Sequence, residues 1–272
     1  MYRSLTTLWQ QSASILKVSV VLHVLAGIVF FINPNIWPWL LLLVLLNHLV
    51  ITGMSLWPRS QCLGTNWISL PAPATARNEI ALTIDDGPDP KVTPKVLAIL
   101  DQHQVKATFF CIGDKALKHS ELCQEIVRRG HAIENHSQQH RHYFSLLGPK
   151  GFTKEIQMAQ NTLSSITGQK PLFFRAPAGL RNPFLDTVLK KLNLTLVSWS
   201  ARAFDTQITN AEKIKSKLVG SLKAGAILLL HDGNAAISTQ GTPIILEVLP
   251  DLINSAKTQG LRFVTLKQAM SV

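Results

Sequence analysis

The segment ALTIDDGPDP, residues 81–90, sets two carboxylates, Asp85 and Asp86, side by side at the end of an apolar run and ahead of a Gly-Pro turn. Adjacent acids repel, and desolvation raises their pKa values. Asp-Gly-Pro suits an ordinary turn, but a turn has no use for the doubled acid. A cation, or a catalytic task shared by the two, gives it one. Further on, HSQQH places His136 and His140 four residues apart. On a helical turn that spacing brings both imidazoles to one face. A carboxylate from another strand would complete a site of two histidines and one aspartate. With an open position, such a donor set suits zinc, non-haem iron(II) being the other candidate. One Asp would hold the cation while its neighbour takes a proton from the water that the cation activates. Arg175, in RAPAG, would pair with an acid and keep it ionised, or else be an exposed loop residue. His231 follows Leu228, Leu229 and Leu230 at the mouth of an apolar strand, as a general acid or as a core histidine bonded to backbone. Asp205 either orients that histidine or belongs to the start of a helix.

These residues need elements to bring them together. Strands are expected at 80–84, 107–112, from 132, and at 172–174, 194–198, 226–230 and 263–266. Helices are expected between them. Thr93 reads as the N-cap of one, with Pro94 at its first position. Ser120 reads as the cap of another that Gly130 stops. Residues 153–167 carry Ile156, Ala159, Leu163 and Ile166 at helical spacing. Helices near 183–192, 211–222 and 243–255 follow. Alternating strands and helices predict an α/β fold, a parallel sheet covered by helices and either open or closed into a barrel. In such folds the C-terminal strand ends carry the active site. Here those ends carry Asp85-Asp86, ENHSQQH, RAPAG, SWSARAFD and HDG.

The first 78 residues are different in kind and contain no Asp or Glu. Residues 15–32 are apolar apart from Lys17, Ser19 and His23, and residues 36–57 apart from Asn47, His48, Thr52 and Ser55. Each run approaches or meets the roughly 20 residues that cross a bilayer, and Asn33-Pro34-Asn35 breaks them apart. Trp37, Trp39 and Trp57 fit interfacial anchors. A cleaved signal peptide fits less well, with two runs and no small-residue cleavage site. A buried helical hairpin would want a polar face that the runs lack. The expected organisation is a membrane anchor over 1–58, a Pro-, Ala-, Gly- and Ser-containing linker over 59–78, and a catalytic domain over 79–272.

The chain has 272 residues, 46% apolar and 16% charged, with a formal charge of +11. The basic excess is scattered and no nucleic-acid motif is present, so the lipid bilayer, not nucleic acid, is the expected partner. Three cysteines, Cys62, Cys111 and Cys123, form neither a disulfide framework nor a zinc motif. Arg3 and Lys17 flank the start of the first apolar run, Arg59 and Arg77 follow the second, and the loop between has no charge. The positive-inside rule then places both ends in the cytoplasm.

TIDDGP (83–88), HSQQH (136–140), RAPAG (175–179), SWSARAFD (198–205) and LLH (229–231) together resemble the five ordered motifs of the polysaccharide deacetylase family, which includes chitin-oligosaccharide and peptidoglycan deacetylases. The resemblance covers about residues 79–270. It implies a distorted (β/α) barrel behind the transmembrane hairpin, and hydrolysis of an N-acyl group, foremost N-acetyl, from an amino sugar. The cofactor implied is one divalent ion, zinc foremost. Matched by position, Asp86, His136 and His140 would bind the ion. Asp85 would be the base, Arg175 would hold Asp85, and His231 would be the acid with Asp205 orienting it. Pro177, Ala178 and Gly179 would lie at the substrate, the Ala178 backbone N–H facing the oxyanion. Ala178 stands where many members have an aromatic, Arg202 where many have a first acid of the fourth motif, and Ile84 where Phe is common. The substrate would be a polymer or a sugar on a lipid carrier. Many members act outside the cytoplasm. The charge pattern instead leans to a domain on the cytoplasmic face of a bacterial inner membrane. The rival readings are a non-catalytic sugar-binding or scaffold protein of the same fold, and a metal-dependent phosphoesterase.

Overall fold

The structure is a computed structural model and describes residues 13–271; Arg3, which enters the charge argument, lies outside them. Eight parallel strands form one sheet: β1 (Glu79–Gly87), β2 (Thr108–Cys111), β3 (Ala132–Asn135), β4 (Phe173–Phe174), β5 (Thr195–Leu196), β6 (Ala201–Arg202), β7 (Ile227–His231) and β8 (Arg262–Phe263). Their order is β5-β4-β3-β2-β1-β7-β6, with β8 pairing the start of β1. The two ends of that order do not pair, so the sheet is an open half-barrel, the distorted form of the (β/α) barrel that the resemblance implies. β1 and β7 are buried along their whole length. That is how strands covered on both faces behave, and it explains why they read as continuous apolar runs.

Helices Thr93–Gln102, Ala211–Val219 and Ile244–Thr258 cover the outside, with Val96, Leu100, Ile214, Leu218, Val248 and Leu252 in one core with Leu82, Ile84 and Leu228. A second cluster, with Ala81, Phe110, Phe173, Val197 and Ile227, also takes in Leu70 and Ala74. Residues 59–78 are therefore packed chain and not a free spacer. Leu63 and Leu70 are buried, residues Ala72–Ala76 form a helical turn, and the Trp67 N–H donates to Leu196 O. Small and proline residues there serve close packing, which composition cannot separate from flexibility.

Two caps differ from expectation. Thr93 is the first residue of its helix, not the cap; its hydroxyl accepts from Asp89 N–H and donates to Asp232. Ser120 likewise begins its helix, after His119. β6 is new, since two residues carry no readable alternation. Gly130, at φ 81°, closes its helix as the sequence indicated.

Helices Ser14–Ile32 and Trp37–Leu56 are long and apolar enough to cross a membrane, as two spans or as part of a signal sequence. Only 6% of each span is buried, which sets them apart from core helices. Asn47 donates to Ser19 Oγ at 2.8 Å, and the His23 and His48 Nε2 atoms lie 3.3 Å apart, so the polar residues of the two runs meet each other. Polar side chains that find interhelical partners are the arrangement a lipid environment favours.

Candidate active site

β1 and β7 pair in register with Asp85 opposite His231. Successive strand residues point to opposite faces, so Asp85 and Asp86 should face apart. A bulge on the β2 side, between Asp85 and Gly87, and a left-handed Asp86 at φ 70° turn both acids into one cavity of about 340 Å³. Gly233 permits this turn: a Cβ there would sit 1.9 Å from Asp86 O. His136, His140, Ala178, Trp199, Arg202 and His231 also line the cavity.

The HSQQH segment is not helical. It follows β3 as a loop with Ser137 at φ 63° and His140 at φ 51°. Side chains hold it: Asn135 Oδ1 accepts from Ser137 N–H, Ser137 Oγ from His140 N–H, and Glu155 from Gln139 N–H. Such local bonds outcompete a helix. The imidazoles still converge, their centroids 4.8 Å apart. His136 Nδ1 lies 2.8 Å from Arg175 O, so it carries the proton and leaves the Nε2 lone pair free. That Nε2 and the Nε2 of His140 each lie 3.2 Å from Asp86 Oδ1. Asp86 Oδ1 is buried without a hydrogen bond, while Asn234 donates to Oδ2. Burial works to raise the Asp86 pKa, but His136 and the neighbouring imidazoles hold it far below the usual range. Burial, then the nearby His136, push His140 down to about 4, so this ring is neutral at pH 7. Buried acceptor atoms that converge with no proton to share call for a cation. The three ligand atoms lie within 4.8 Å of one another, and the residues fit a divalent ion.

Arg175 is fully buried, not exposed. Its Nη1 donates to Asp85 Oδ1 at 2.6 Å and to Thr83 Oγ1 at 2.8 Å, Nη2 donates to Ser198 O, and the guanidinium lies 4.1 Å from the Phe110 ring centroid. Asp85 thus keeps one oxygen on a fixed cation.

His231 Nδ1 meets Asp205 Oδ1 at 2.9 Å, and the same carboxylate accepts from His231 N–H. Asp205 alone therefore orients the ring, with no second acid at position 202. Burial lowers the His231 pKa, but the Asp205 hydrogen bond and the charges of Asp205, Asp85 and Asp86 outweigh it, and the net direction is up.

Of the three residues expected at the oxyanion, Pro177 has no N–H and the Gly179 N–H is committed to Ala176 O. Only the Ala178 N–H can serve; Ala178 is held at φ 54° and lines the cavity. Asn234, Thr83, Trp199 and buried Asp232 complete the surroundings and were not singled out from sequence. Asp232 is pushed up to about 7 by burial. The HDG tripeptide marked its neighbourhood, but nothing in the sequence showed that Asn234 would reach back to Asp86.

A parallel half-barrel whose strand ends deliver an Asp-His-His cluster beside an Arg-held carboxylate defines a class of metal-dependent hydrolase. The sequence model for polysaccharide deacetylase matches residues 72–197. A peptidoglycan-N-acetylglucosamine deacetylase of Bacillus cereus is 34% identical over 193 residues, 70% of this chain and 87% of its own length. The solved structure of the Bc1960 peptidoglycan N-acetylglucosamine deacetylase superposes with a TM-score of 0.67 at 31% identity, over 75% of this chain and 92% of that one. A family 4 acetyl xylan esterase of Clostridium thermocellum, solved with a cobalt ion, gives 0.62 at 31% identity, over 70% and 89%. The chain belongs to the polysaccharide deacetylase family.

Proposed function

We propose that this protein is a membrane-anchored, metal-dependent hydrolase that removes the N-acetyl group from an amino sugar. The observation that carries this reading is Asp86 Oδ1 facing both imidazole Nε2 atoms at 3.2 Å, next to a second carboxylate locked by a buried Arg. Asp86, His136 and His140 would hold the ion, zinc by its preference for nitrogen and oxygen donors. Bound there, it would acidify a water and polarise the acyl carbonyl. Asp85 accepts the proton of the attacking water, and Arg175 keeps Asp85 ionised and aimed. The Ala178 N–H faces the developing oxyanion. His231, oriented by Asp205, gives its proton to the departing amine, so that amide and water become acetate and free amine.

The test is acetate release by the purified full-length protein from N-acetylglucosamine oligomers. We expect release to stop on chelation and return with zinc. Phosphate release from sugar phosphates, with no acetate from any acetamido sugar, would instead favour the phosphoesterase.

The hairpin spans the membrane in this reading, with the domain on the cytoplasmic face, as the charges at 17, 59 and 77 favour. Cys62 is exposed while Cys111 and Cys123 are buried. A membrane-impermeant maleimide should therefore leave Cys62 unmodified in intact spheroplasts and label it after permeabilisation. Labelling before permeabilisation would put the domain outside.

A further inference from the structure

The second apolar helix does not lead into a spacer. It ends at Leu56, and the chain on either side of that end is pinned to the rim of the catalytic cavity. Arg181 N–H donates to Ser55 O, and Ser198 Oγ donates to Pro58 O at 2.6 Å. Gly179 lies so close that a Cβ there would meet Pro58 at 2.7 Å and Trp199 at 2.6 Å. The cavity that holds the acids and histidines therefore opens beside the end of a helix fit to cross a membrane.

Two further cavities continue from it. One, of about 450 Å³, shares Trp199 and Arg202 with the catalytic cavity and adds Trp57, Arg59, Phe204 and Lys217. The next, of about 710 Å³, shares Trp57 and Arg59 with that one and adds Lys223. No carboxylate lines either. Among the described residues, neither Arg59, Arg202, Lys217 nor Lys223 is in an ion pair, although most of the chain's acids are paired with another Lys or Arg. Arg202 lies against Trp199 and Phe204, with its Nε buried and lacking a hydrogen-bond partner. Lys217 Nζ lies 4.8 Å from the centroid of the same Phe204. Unneutralised cations converging on a groove attract an anion of matching size, and Arg and Lys both suit phosphate. A neutral sugar polymer gives these cations nothing to bind.

We propose that this groove takes the phosphate of an amino sugar linked to a lipid through phosphate. The acetamido sugar would enter the catalytic cavity, the phosphate would lie between Arg202, Lys217 and Arg59, and the lipid chain would leave past Trp57 into the bilayer beside the apolar helices. The proposal rests on the deacetylase reading and narrows its substrate. It also gives a role to Arg202, which stands where many relatives carry an acid.

The experiment uses the full-length protein in nanodiscs of uncharged phosphatidylcholine and measures equilibrium binding of radiolabelled polyprenyl monophosphate and of the matching polyprenol. The phosphate form should bind about tenfold tighter or better, the scale of one or two charge-assisted hydrogen bonds. Arg59→Gln with Lys217→Gln should remove most of that preference, and Lys217→Gln alone, on an exposed helix face, repeats the test if the double variant folds poorly. Millimolar inorganic phosphate should not displace the lipid. Equal binding of the two lipids, an unchanged preference in the variants, or displacement by free phosphate as effective as by the lipid would each overturn the proposal. Acetate release from a neutral soluble oligomer tests the deacetylase reading alone. Its absence, with phosphate-selective lipid binding intact, would remove that reading and leave the groove; its presence without such binding would do the reverse.

Discussion

Asp85→Asn should retain its metal and lose turnover by about 10²- to 10⁴-fold, the usual worth of a general base. The amide keeps the size of the carboxylate and can still accept from Arg175, but it cannot take a proton from water. Asp86→Asn should behave differently. It removes the anion that both imidazoles face, so metal content falls first and activity follows. The measurements are metal content and acetate release on the same preparations. Because Asp85→Asn also leaves the buried Arg175 without its counterion, a loss of stability is expected, of the order of 3–5 kcal/mol for a broken buried pair. Thermal unfolding must therefore show that the variant is folded at the assay temperature. A folded, metal-loaded Asp85→Asn with wild-type turnover would take Asp85 out of the mechanism.

His231→Ala should lose a similar 10²- to 10⁴-fold in turnover, and its pH profile should lose the basic limb. The sign follows from the direction of the shift. His231 is raised above its ordinary 6.5, so the protonated, acid-competent form persists beyond pH 6.5 and activity declines as pH rises through the raised value. The same interaction stabilises the folded chain fully below the unfolded pKa and ceases to do so above the folded one. Asp205→Asn removes the largest upward influence and leaves burial, which pushes down, opposed only by the charges of Asp85 and Asp86. Its basic limb should move to lower pH, with turnover near neutrality reduced accordingly. An Asp205→Asn profile that coincides with the wild type would mean that the carboxylate only packs against the ring.

How far the sequence could be read depended on whether a signal was local. Residues 80–84 and 226–230 read as buried strands because burial on both faces leaves an unbroken apolar run. The acids at 85–86 and the histidine at 231 stood out because charges at the end of such a run are conspicuous. What stayed hidden depends on geometry beyond the run. The left-handed turn at Asp86 leaves no mark, since Asp is common in ordinary turns as well. Histidines four apart suggested a helix, and only the bonds made by Asn135, Ser137 and Glu155 show a loop doing the same task. From its own neighbours Arg175 read equally as the partner of an acid or as a surface arginine; only the family resemblance put it on Asp85, and Phe110, Thr83 and Ser198 show why it is buried. Residues 59–78 looked like a spacer because the small residues that let chain pack closely are also those that let it flex.

The pairing of Asp85 with His231 across two hydrogen-bonded strands has a consequence for how this site can diversify. In the proposed mechanism, proton acceptor and proton donor are spaced by main-chain ladder bonds, which are indifferent to side-chain identity. The cavity walls at Ala178, Trp199 and Arg202 come from loops and from the short β6 at the edge of the sheet. In that mechanism, recognition and proton transfer fall to separable parts of the chain. Substitutions at the rim should therefore leave the separation of the two protonic groups unchanged.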